Sequence, residues 1–135
     1  MKVIASFASL PRGDRTLLLK AIATIVLVRA ALHLLPLIRV RAWATRRGPG
    51  GPSTDRIAWA VAAASRRIPG TSCLIAAFAL QRLLSRAGHE SELHIGVAKR
   101  AQKLAAHAWV VCEGQILIGA REDDPYTPLV AWPAA

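Results

Sequence analysis

The sequence predicts an α+β domain in which helices come first and an antiparallel sheet follows. Three observations predict it. Apolar residues recur at helical spacing in successive segments up to residue 87, as amphipathic helices require. After residue 90 the apolar period drops to two, the mark of half-buried strands. Glu113-Gly114 then separates two strand-like runs, as a two-residue hairpin turn does. With 135 residues, 53% of them hydrophobic, the chain is long enough for one modest core and too apolar to be disordered.

The elements follow in order. Residues 14 to 35 form the first helix, with Asp14 able to cap it and Leu17, Lys20, Ala21, Thr24, Val28 and Ala31 at helical spacing. Pro36 ends or kinks it. "RVRAWATRR" and then "GPGGPS" follow, and the glycines and prolines make 48–53 a linker or flexible loop. Ser53 or Thr54 caps a helix over "DRIAWAVAAASRR", with Asp55 in its first turn, where a negative charge suits the helix dipole. Pro69-Gly70 stops it. The next helix runs from Ser72 to about Ala87, with Gly88 as the residue after its cap. Leu93, Ile95 and Val97 then share one face of a strand, "AAHAWVV" forms a second, and "QILIGA" a third.

Charge divides the chain sharply. Residues 1–67 carry twelve Lys/Arg against Asp14 and Asp55, and the remainder balances to zero, so the whole net charge of +10 lies in the first half. Such a half can meet an acidic partner, a precursor peptide or an anionic surface. Nucleic acid is not expected, because no zinc pattern and no aromatic stacking strip is present. "TLLLKAIATIVLVRAALHLLPLI" is interrupted by Lys20, Arg29 and His33. A span needs roughly 20 apolar residues in succession, so this segment is read as a helix buried or lying against a partner. Two cysteines without a CxxC pattern, and a weak signal-peptide pattern at the start, point to a reducing cytoplasm. A basic helix lying on a membrane surface stands as an alternative.

Cys73 is the residue on which function turns. Behind Ser72 it falls in the first turn of a helix, where unpaired N–H groups favour negative charge and can donate to an oxyanion. His107, in "HAWVV", is the histidine a strand would hold rigidly as a general base. Strand parity groups His107 with Trp109 and Val111, and Cys112 with Ala108 and Val110. Cys112 is therefore a structural thiol, and Cys73 is the cysteine free to pair with His107. A third group should orient the imidazole. A two-residue turn at 113–114 pairs Cys112 with Gln115 and sets His107 opposite Ala120. The nearest acids are Glu122, Asp123 and Asp124. Asp123 is taken as the candidate, with Glu122, Asp124 or a backbone carbonyl as alternatives. No cofactor and no metal site is expected.

"SCLIAAFALQRLLSRAGHESELHIGV", "AHAWVVCEGQILIG" and the tail "YTPL", after the basic helical "LLLKAIATIVLVRAALHLLPL", resemble the stand-alone peptidase form of lasso peptide biosynthesis protein B. The resemblance implies a transglutaminase-like, papain-related fold, with N-terminal helices and a sheet packed on the cysteine helix. It further implies a basic helical segment over 1–50 and a peptidase core over 51–135, joined in one unit. The implied activity is a cytoplasmic cysteine peptidase that removes the leader from a ribosomally made lasso precursor. In that family a Cys-His-Asp triad acts, and Cys73 and His107 match its first two members. The usual aspartate position reads Gly119-Ala120 here, a departure that leaves the third member open. The implied partners are the precursor peptide, a separate leader-binding protein (a peptide recognition element) and an ATP-using cyclase of asparagine-synthetase type. Acyl transfer from the same thioester, or a non-catalytic module in peptide maturation, is the alternative.

Overall fold

A computed structural model describes residues 12–100, 103–118 and 127–133. Among the described residues, four helices precede a four-stranded antiparallel sheet: α1 (Arg12–Leu34), α2 (Leu37–Ala44), α3 (Thr54–Arg67) and α4 (Cys73–Arg86), then β1 (Glu92–Arg100), β2 (Lys103–Cys112), β3 (Gln115–Ile118) and β4 (Thr127–Pro133). The strand order is β3-β2-β1-β4. The α+β expectation holds. One buried cluster joins all four helices to the sheet, with Leu18, Ile25, Ile57, Phe78, Leu80 and Leu93 among its fully buried members.

The inner stripe of α1, Leu17, Ala21, Thr24 and Val28, is buried as its spacing predicts, whereas Lys20 points out to solvent. Asp14 lies inside the first turn, and its Oδ1 accepts from Arg56 Nη2 at 2.6 Å, fastening α1 to α3. Pro36 ends α1 and serves as the N-cap of α2, an element the sequence reading leaves out. Its eight residues, interrupted by Arg39 and Arg41, are too few to show a helical period.

The 48–53 segment is strapped down, contrary to the expectation of a loose linker. Gly48 N–H donates to Ser85 O at 3.0 Å, and a Cβ on Gly48 would stand 2.2 Å from Arg86 O. His89 Nε2 meets Pro52 O at 2.9 Å, and Arg47 pairs with Glu90. Backbone contact of that closeness leaves room only for glycine.

The β1–β2 register runs without a break from Glu92↔Val111 to Arg100↔Lys103. The hairpin turn has φ 52° at Glu113 and 78° at Gly114, the doubly positive pattern of a type I′ turn. Cys112 pairs with Gln115 as expected, but the next pairs are Val111↔Ile116 and Val110↔Ile118. An extra residue in β3 shifts the register by one, so the simple count that sets His107 opposite Ala120 fails. β4 was not foreseen either. Pro128 and Pro133 argue against a strand, yet β4 is an edge strand on β1, where proline is tolerated.

Candidate active site

The turn before α4 is built to present Cys73. Gly70 takes φ +78°, a conformation that a side chain would strain. Thr71 Oγ1 donates to Ile68 O at 2.8 Å. Arg29 of α1, far away in sequence, donates from Nη2 to Pro69 O at 2.7 Å. This arginine latch was invisible in the sequence, because nothing local marks a contact forty residues away. Ser72 then caps the helix, its side-chain oxygen accepting from Ile75 N–H at 3.2 Å, and its carbonyl accepts from Ala76 N–H at 3.0 Å.

Cys73 is therefore the first helical residue of α4. Its thiol is free and half-buried, with one side against the core cluster. The first-turn N–H groups of a helix have no intrahelical acceptor. Ser72 takes the one at Ile75, which leaves those of Cys73 and Leu74 for an incoming oxygen. Downstream, Ala77, Phe78, Gln81 and Leu84 are buried and hold the helix by its middle. The far end closes with Gly88 N–H on Ser85 O and His89 N–H on Leu84 O, the two bonds of a Schellman motif.

Cys112 is the other thiol. It is 2% exposed and donates from Sγ to Glu90 O at 3.2 Å. Burial, and then the neighbouring Glu113 carboxylate, push its pKa up. A thiol held neutral in this way packs and does not attack.

The backbone of His107 stands in β2 opposite Gly96 of β1. Its side chain, and the whole acidic run Glu122, Asp123 and Asp124, lie outside the described residues. In the neighbouring strand positions, Ala108, Val110 and Cys112 join the core cluster. Trp109 is buried outside that cluster and stacks on His94, with ring centroids 5.6 Å apart at 23°. His94 Nε2 also lies 3.3 Å from Glu92 Oε2. The cross-strand pairing His94↔Trp109 depends on the β1–β2 register, which no local pattern in the sequence fixes.

Among the described residues, no group of three His, Cys, Asp or Glu could hold a metal ion. A groove of about 760 Å³ is lined by Lys20 and Leu27 of α1, by Trp43, and by Arg82 and Arg86 of α4. Arg82 lies 4.4 Å over the Trp43 ring and donates to Trp43 O at 2.8 Å. Burial, then Arg86 and Arg46, lower its pKa. At 1.5 Å per residue these arginines stand roughly 14–20 Å along α4 from Cys73, and Cys73 does not line the groove.

No curated protein and no solved structure matches the sequence. Residues 17–131 match the transglutaminase-like superfamily, from the first buried residue of α1 into β4. A capped helix that opens on a half-buried cysteine and packs on an antiparallel sheet agrees with that match in type and order, and the chain belongs to the transglutaminase-like superfamily.

Proposed function

We propose that this chain is a cysteine peptidase that cleaves the leader from a lasso-peptide precursor presented by a separate leader-binding protein. Membership of the superfamily carries the coarser statement, cysteine peptidase or acyl-transfer chemistry. The observation that supports the finer one is Cys73 at the capped mouth of α4 with two first-turn N–H groups to spare, in a chain that also carries "HAW" on β2 and the "YTPL" tail.

In this reading His107 takes the Cys73 proton, and the thiolate attacks the carbonyl at the leader–core junction. The N–H groups of Cys73 and Leu74 receive the oxyanion. Protonated His107 gives its proton to the leaving amine, and water then releases the leader's new carboxylate from the thioester. Asp123 is the proposed orienting group, with Glu122 and Asp124 as rivals. A cyclase of asparagine-synthetase type would act on the released core.

The test is mass spectrometry of a lasso-type precursor peptide incubated with this chain and a candidate leader-binding protein. Hydrolysis gives two fragments whose masses sum to the precursor plus one water, and Cys73→Ala and His107→Ala abolish them. A product joined to an amine would establish acyl transfer in place of hydrolysis. Unchanged cleavage by Cys73→Ala would sink the nucleophile. Among Glu122→Gln, Asp123→Asn and Asp124→Asn, only Asp123→Asn should slow turnover strongly.

A further inference from the structure

Helix α1 is apolar on both of its faces, yet the described residues cover only one. Its most apolar 18-residue window has a mean hydropathy of 2.0, and a third of that window is buried. Leu17, Leu18, Ala21, Ile25 and Val28 face the core. On the opposite side Leu19, Val26, Leu27 and Leu34 are each more than half exposed. The patch continues around the Pro36 corner through Leu35, Leu37 and Ile38, the last 74% exposed and Leu34 81%. Helices apolar all round are normally buried on all sides, and a contiguous exposed patch of this kind marks an interaction site.

We propose that this outer face, with the α1–α2 corner, is an anchor that lies in the surface of an anionic bilayer. Charge selects the occupant. From residue 15 to residue 54 the chain has seven Lys/Arg and no acid. Exposed Lys20 stands on the same outer face, and exposed Arg39 follows Ile38 directly. Apolar residues rimmed by cations alone are the pattern that sinks into the headgroup boundary of an anionic membrane. A second copy of this chain would bring the same cations to the face, and like charges oppose that pairing. A full span is excluded for the folded chain. The inner stripe is occupied by α3 and α4, and Arg29 and Asp14 fasten the helix to the turn before α4 and to α3. The anchor is independent of the peptidase reading.

Co-sedimentation of the full chain with vesicles tests it, using phosphatidylcholine alone and an equal mixture with phosphatidylglycerol. Binding is expected to the mixed vesicles and at least tenfold weaker to phosphatidylcholine alone. Leu34→Glu with Ile38→Glu, at positions too exposed to support the core, should lower binding at least tenfold with an unchanged melting curve. Arg39→Glu should weaken binding more than Arg66→Glu, which makes the same charge change at an exposed position of α3. No pelleting overturns the proposal. So does pelleting that ignores Leu34 and Ile38, or equal effects of Arg39→Glu and Arg66→Glu, since bulk charge then suffices. Self-association in solution that Leu34→Glu with Ile38→Glu abolishes, without vesicle binding, assigns the face to a second copy and also overturns it.

Discussion

Cys73 and Cys112 are the same residue type in opposite physical situations. Cys73 opens a helix, half-buried beside spare N–H groups, while Cys112 is enclosed and bonded to Glu90 O. Brief alkylation of the folded protein at neutral pH should modify Cys73 first and reach Cys112 only on unfolding; peptide mapping reads the order. Cys112 also predicts a pH effect. Its folded pKa is raised, so the unfolded chain loses the proton first as pH rises. The associated stability is complete below the unfolded thiol pKa, about 8.5, and is lost as pH climbs through the folded value. Denaturant titrations should show stability falling above about pH 8.5, and Cys112→Ala should flatten that fall. The position of Cys73 behind its N-cap and the burial of Cys112 with Ala108 and Val110 were legible in the sequence. An N-cap serine and a two-residue strand period are local signals. The Arg29 latch and the His94–Trp109 stack were not, because each depends on chain segments meeting at a distance.

Helix α4 shows how an element holds the candidate site. Its N-terminus carries the thiol, its middle is gripped by the core, and its C-terminus is closed by Gly88 at φ +84° and strapped by Gly48. Gly88→Ala puts a side chain into a left-handed conformation and should cost about 1–2 kcal/mol. Phe78→Ala empties a fully buried site on the same helix and should cost about 3–5 kcal/mol. Urea titrations measure both. If the strap merely spans two helices, Gly48→Ala will be neutral; a Cβ driven into Arg86 O predicts a loss well above the surface norm. The long helices and the β1–β2–β3 meander were readable because caps, glycines and periods agreed. Short α2, proline-bearing β4 and the β3 bulge were not, since each is stabilised by neighbours against its own local preference.

At the scale of the molecule, the charge boundary and the core boundary do not coincide. All of the net charge lies in residues 1–67, which makes a division near residue 50 look natural. The buried cluster crosses that line: Leu18, Ile25 and Val28 of α1 and Val40 of α2 join Ile57, Phe78 and Val110 in one core. Removing residues 1–50 would expose the partners of those side chains on α3 and α4. It would also remove Arg29 from the turn that presents Cys73 and Arg47 from Glu90. A fragment of about 85 residues is near the size at which a single core barely outweighs chain entropy, and this one would lose a whole wall. Residues 51–135 alone should therefore show no cooperative urea transition. In the full chain, far-UV circular dichroism and tryptophan fluorescence should trace one coincident transition, as two-state unfolding requires. Two separated transitions, or a cooperative 51–135 fragment, would show instead that the basic helices are an appendage to an autonomously folding core.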